Sequence, residues 1–113
     1  MSEKRTYQEV EEYVRRVADK LGWKLNPNRE MLDHLVTGLM ENFNNLGYYN
    51  CPCRDSQADR TRDKDITCPC VYARQADVSE YGYCYCALFF RKDYDASRGV
   101  TMIPDRRPLE NYR

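Results

Sequence analysis

The chain has little of several things, and each shortage removes a class of function. Nowhere does it hold the run of about 18 apolar residues that a membrane-spanning helix requires. Its first residues, Met1-Ser2-Glu3-Lys4-Arg5-Thr6-Tyr7, lack the apolar stretch of a secretory leader, so a cytoplasmic protein is expected. Neither sign of charge is in excess, with 18 Lys and Arg against 18 Asp and Glu. No global field therefore argues for nucleic acid, a membrane surface or a strongly charged substrate. Histidine is almost missing: His34 is the single copy, and its place within a helical stretch marks it as an ordinary helix residue. There is no internal repeat and no sign of a second domain. A single domain of 113 residues can bury only a modest core, near the size at which a metal or crosslink supplies much of the stability.

What the chain does have is sulfur. Six cysteines fall into three Cys-X-Cys pairs, Cys51-Pro52-Cys53, Cys68-Pro69-Cys70 and Cys84-Tyr85-Cys86. In a reducing compartment such a pattern points to metal binding or catalysis before a structural disulfide framework. A bond between residues i and i+2 would close a small strained ring, whereas neighbouring segments can aim their thiolates at one metal. Proline inside two of the pairs holds φ near about −65° and removes an N–H donor, which stiffens the presentation of both sulfurs. Four thiolates complete either a zinc site or an iron-sulfur cluster, and the spacing is not the Cys-X2-Cys of zinc ribbons. Six cysteines leave two thiols beyond a four-ligand site, enough for a redox couple, and composition leaves open which four bind.

The flanking sequence reads as a mainly α protein. Thr6 and Glu9 form a capping box ahead of Val10, Tyr13, Val14, Val17 and Leu21 on one face, and Gly22 ends that helix. After Trp23-Lys24-Leu25, Asn26-Pro27-Asn28 opens a second helix carrying Met31, Leu32, Leu35, Leu39, Met40, Phe43 and Leu46, closed by Gly47. These two stripes are the expected core. The division expected within one domain, 1–113, is a helical core at 6–47, a cysteine-rich region at 48–90 and an irregular tail at 91–113. Inside the second part, Arg54 to Asp65 is charged and lacks apolar anchors, and reads as a solvated loop or short exposed helix. Val71 to Glu80 suits a short helix, and Ala87 to Phe90 an apolar return to the core.

Three ordered Cys-X-Cys motifs, as Cys51-Pro52-Cys53-Arg54, Cys68-Pro69-Cys70-Val71 and Cys84-Tyr85-Cys86-Ala87-Leu88-Phe89-Phe90 behind two helices, resemble the catalytic (beta) chain of ferredoxin:thioredoxin reductase. The likeness spans most of residues 7 to 100 and implies a small single-domain helical iron-sulfur protein. Carried over residue by residue, it implies that Cys51, Cys68, Cys70 and Cys84 hold a 4Fe-4S cluster, and that Cys53 and Cys86 form the active-site disulfide. It further implies ferredoxin as one-electron donor, thioredoxin or a glutaredoxin-like protein as substrate, and a small variable subunit as a further partner of the kind the family often has. By the same analogy Cys53 attacks the target disulfide and Cys86 interacts with the cluster and later resolves the mixed disulfide. A plant-type ferredoxin near about −400 mV and thioredoxin near about −270 mV leave roughly 6 kcal/mol for the two-electron transfer.

The chain departs from the family pattern at two places. Tyr85 stands where the motif has histidine, and a phenol titrating near about 10 donates a hydrogen bond but is a poor proton shuttle at neutral pH. The spacer between the second and third pairs holds 13 residues, longer than the family norm, so Val78 to Tyr83 is expected to add a turn. Tyr48, Tyr49, Tyr72, Tyr81, Tyr83 and Tyr85 crowd the motifs and read as a wall against water or as a recognition surface. Arg54, Arg60, Arg62, Lys64 and Arg74 are candidates to receive an acidic ferredoxin, interleaved with Asp55, Asp59, Asp63 and Asp65. Two other readings are weighed beside the reductase: an electron-transfer iron-sulfur module with idle extra thiols, and a zinc-stabilised interaction domain.

Overall fold

A computed structural model describes residues 4–112, so Met1 to Glu3 and Arg113, the outermost positions of the expected domain, lie outside the described residues. Helix α1 (Tyr7–Leu21) starts at the capping box: the Glu9 amide donates to Thr6 Oγ1 at 3.2 Å, and the Thr6 amide donates to Glu9 Oε1 at 3.0 Å. Helix α2 (Arg29–Leu46) starts at Asn28, whose side chain accepts from the Met31 amide at 3.1 Å. Both helices end at a glycine in the left-handed region, Gly22 and Gly47. Between them lies a three-residue strand, β1 (Trp23–Leu25), where the sequence shows only a connection. Its partner is β2 (Phe89–Arg91), antiparallel and in the register Trp23 to Arg91 and Leu25 to Phe89. The apolar return after the third cysteine pair is thus a strand that docks on the α1–α2 corner.

The core joins Val10, Val14 and Ala18 of α1 to Leu32, Leu35, Val36 and Leu39 of α2, and Leu88 and Phe89 extend it toward the cysteines. Complete burial of each larger side chain contributes roughly 2 kcal/mol. The α1 face runs at intervals of four residues, so Ala18 takes the inward place and Leu21 is left 38% exposed at the helix end. A helical segment at 71–81 contains one π turn, Ala73–Asp77, followed by α3 (Val78–Tyr81). π turns of this kind gather at functional sites. No described helix is long and apolar enough to cross a membrane.

The charged stretch departs from the expected solvated loop. Asp63 is completely buried and accepts from the Tyr48 hydroxyl at 2.5 Å, the Ser56 hydroxyl at 2.5 Å and the Gln57 amide at 3.0 Å. Asp65 pairs with the buried guanidinium of Arg107, which donates from Nε at 2.9 Å and Nη2 at 3.0 Å. Tyr72 and Asn111 donate to the same carboxylate at 2.5 and 3.2 Å. Burial opposes its charge, but Arg107, Tyr72 and Asn111 more than offset that and bring the carboxyl down to about 2. The tail, with short 3-10 helices at Ala96–Arg98 and Leu109–Tyr112, is tied to this loop and also buries Ile103.

Candidate active site

The first two cysteine pairs are stitched together through the backbone beside them. Asn50 and Thr67 form an antiparallel bridge, the Cys51 amide donates to the Ile66 carbonyl at 2.9 Å, and the Cys68 amide donates to the Tyr49 carbonyl at 2.7 Å. Tyr13, on α1, donates its hydroxyl to the Cys68 carbonyl at 2.7 Å and so ties the second pair to the helical core. The first pair rests on α2 at Gly38. A Cβ at that position would stand 2.9 Å from Cβ of Pro52, so only a glycine allows the pair to approach the helix this closely.

The third pair lies on a tight turn ahead of β2. The Ala87 amide donates to the Cys84 carbonyl at 2.8 Å, and Ala87 itself adopts φ of 61°, a left-handed conformation unusual for a residue with a Cβ. Buried Asn26 holds this turn by donating to the Ala87 carbonyl at 2.9 Å. The connection from β1 to α2 therefore positions the last two cysteines from 61 residues away.

Cys51, Cys68, Cys70 and Cys84 line one small cavity, with Ala73, Tyr85, Cys86 and Phe89 completing its wall. Among the described residues, no group of three His, Cys, Asp or Glu side chains is placed to hold a single metal ion. Two of the cavity sulfurs receive backbone donors, Cys70 from the Ala73 amide and Cys84 from the Phe89 amide, each at 3.4 Å. Such donors favour a sulfur that carries negative charge.

Cys53 points elsewhere. It is exposed and lines two adjoining grooves on the outer side of α2, both shared with His34 and Leu35. Cys86 lines both the cavity and one of these grooves. Its sulfur is 3.8 Å from that of Cys84, and Cys51 and Cys53 are its other hydrogen-bonding neighbours. One thiol thus connects the enclosed cysteines to the exposed one.

The electrostatics follow this arrangement. Burial first, then the neighbouring thiols, pushes Cys68 well above the ordinary range and Cys70 up to about 12. Hydrogen bonding to Cys51, Cys53 and Cys84 makes Cys86 the thiol that keeps its proton. The reciprocal bond from Cys86 lowers Cys53 against the effect of burial, with help from the charge of Arg54. The same bond, with amide donors that include Phe89, brings Cys84 down to about 7.

The family model for the ferredoxin thioredoxin reductase catalytic beta chain matches residues 1–105. The chain belongs to that family. No curated protein matches it at a significant level. Membership in the ferredoxin thioredoxin reductase catalytic beta chain family makes it a catalytic subunit of the oxidoreductase type and agrees with a small domain that is roughly half helical, with three helices and a two-stranded sheet.

Within this family member, the surroundings of the motifs differ from the sequence reading in several respects. Of the crowded tyrosines, only Tyr85 lines the cavity. Tyr48 serves buried Asp63, Tyr72 serves half-buried Asp65, and Tyr83 donates to the Thr101 carbonyl at 3.0 Å. Arg54 is not a surface residue for a docking protein, because its side chain is completely buried. His34 is exposed on α2, as its helical setting suggests, but it stands at the rim of both grooves that Cys53 lines. Gly38 and Asp105 gave no signal in the sequence, and Asn26 signalled only a helix start, since each acts on a partner brought close only by folding.

Proposed function

We propose that this chain is a ferredoxin-dependent disulfide reductase in which Cys51, Cys68, Cys70 and Cys84 hold a 4Fe-4S cluster and Cys53 and Cys86 form the redox-active disulfide. The observation that carries this reading is the division of the six cysteines, with four around one cavity, Cys53 outside it and Cys86 bordering both spaces. The Cys-X-Cys spacing of the three pairs, unlike the Cys-X2-Cys of zinc ribbons, favours an iron-sulfur cluster over one zinc. When bound, the cluster supplies one-electron transfer, which allows a single-electron donor to serve two-electron disulfide chemistry. The thiols that burial keeps protonated would release their protons to solvent as metal binds and become thiolate ligands.

The chain's own residues then divide the work. Two electrons and two protons convert the Cys53–Cys86 disulfide into two thiols. Cys53, exposed and stabilised as a thiolate by the Cys86 hydrogen bond, attacks the target disulfide, forms a mixed disulfide and releases one substrate thiolate. Cys86 then gives up its proton and attacks the Cys53 sulfur. This releases the second substrate thiolate and restores the Cys53–Cys86 bond. The grooves on either side of Cys53 leave room for the segment that carries a thioredoxin-type disulfide.

Iron, sulfide and zinc analysis of anaerobically purified protein tests this reading when combined with the variants Cys53→Ser and Cys68→Ser. Cys53→Ser is expected to retain about four irons and lose all reduction of a thioredoxin disulfide, and Cys68→Ser to lose iron. Normal turnover by Cys53→Ser, or one zinc in place of iron, would refute it.

A further inference from the structure

Arg54 directly follows the exposed Cys53, yet its side chain is completely buried. Charged side chains are almost never placed so unless every donor is answered. Here Nη1 makes all the bonds, to the Asp105 carboxylate and to the Tyr112 hydroxyl at 3.3 Å. Nε and Nη2 are buried without a partner. The guanidinium carbon lies 4.2 Å from the ring centroid of Tyr85 and 5.3 Å from that of Tyr72. Aromatic faces therefore hold it by cation–π contact where water is excluded. Tyr85 is itself part of the cavity wall. Cys51 and Cys70 are near enough to act electrostatically on the guanidinium.

Two unanswered donors on a buried cation are a large cost in a protein of this size, because each orphaned group loses about 1–3 kcal/mol or more when charged. Such a cost is explained if an acceptor arrives at that place in the working protein. The sulfurs of the cavity are the acceptors available once they are deprotonated.

On the reading of the site given above, we propose that Arg54 is the charge-supplying residue of the four-thiolate centre. Its guanidinium, stacked on Tyr85 and anchored by Asp105 and Tyr112 of the tail, presents a permanent positive charge and free N–H groups to the sulfur of the loaded centre and thereby raises its reduction potential. A positive charge and hydrogen bonds to sulfur both favour the reduced, more negative state of a cluster. Because guanidinium stays charged at all accessible pH values, this contribution does not vary with pH. Tyr85 works through the face of its ring, so its hydroxyl is dispensable to it.

The test is electrochemical, on full-length protein purified anaerobically, with iron content measured on each sample. Arg54→Gln and Tyr85→Leu are both expected to move the cluster potential to a more negative value, and Tyr85→Phe to leave it where the wild type has it. The shift caused by Arg54→Gln is expected to be the same at every pH in the neutral range. If Arg54→Gln loses its iron, the two Tyr85 variants decide, since they differ in ring against no ring and not in the buried charge. An unchanged potential in an iron-replete Arg54→Gln, or a Tyr85→Phe shift equal to that of Tyr85→Leu, would overturn the proposal while leaving the reductase reading intact. Wild-type protein without an iron-sulfur centre would overturn both.

Discussion

Replacing Gly38 by alanine sets a local preference directly against the placement of the site. In the interior of α2 the change gains up to about 1 kcal/mol, because glycine has the greater backbone freedom to lose and alanine the best helix propensity. Against this, the new methyl group would stand 2.9 Å from Cβ of Pro52, closer than carbon atoms tolerate. Pro52 is a ring fused to the backbone between Cys51 and Cys53, so it cannot move aside as a flexible side chain would. The backbone of the first cysteine pair must retreat by several tenths of an ångström. Overpacking of this kind costs typically about 1–3 kcal/mol, so the net expectation is a loss of roughly 0–2 kcal/mol and a displaced Cys53. A helix-propensity control is Asn45→Ala on the exposed face of α2, which gains at most about 0.6 kcal/mol and leaves Cys53 untouched. Equilibrium urea unfolding gives the stabilities, and the rate of alkylation of Cys53, with its site confirmed by mass spectrometry, reports the local change. If Gly38→Ala stabilised the protein by about 1 kcal/mol and kept the wild-type alkylation rate, the close contact between α2 and the first pair would not constrain the site, and the reasoning would fail.

Other outcomes follow from the same contacts. The Asp65 carboxyl titrates near about 2 in the folded chain against about 3.9 unfolded, so its ionised form contributes roughly 2 to 3 kcal/mol. Because the folded value is the lower one, this contribution is complete above about pH 5 and is lost as pH falls from about 4 through 2. Asp65→Asn should therefore be clearly less stable than wild type at neutral pH, and urea unfolding near pH 3 should show the gap reduced by about half; a gap independent of pH would contradict the Arg107 pairing. Asn26→Ala removes the donor to the Ala87 carbonyl and leaves that buried oxygen unanswered, for a loss of about 1–3 kcal/mol. It should also loosen the turn that carries Cys86, which cysteine alkylation of the reduced protein would register as faster labelling of Cys86 than in wild type.

Much of the framework was legible before folding was considered. The ends of α1 and α2 are written within four residues of each boundary, as Thr6 with Glu9, Asn28, Gly22 and Gly47, because capping satisfies backbone groups from the nearest side chains. The cysteine pairs were equally plain, since their meaning lies in covalent spacing. The charged stretch from Arg54 to Asp65 was misread for the opposite reason. Its composition says solvent, but Asp65 is answered by Arg107 from 42 residues further along the chain, and Arg54 by Asp105 from 51 residues further. Periodicity has nothing to register in such pairs.

What the sequence alone determined is the set of helices, the family and the inventory of six thiols, because propensity, capping and motif spacing act between neighbours in the chain. Tertiary structure decided which thiols surround the cavity, which one meets solvent, and that Arg54 stands as a buried cation against the ring of Tyr85, itself part of the cavity wall. Burial and desolvation are properties of segments stacked from distant parts of the chain. Until β2 returns to β1 and the tail closes over the loop, the third cysteine pair and Arg54 have no inside to face.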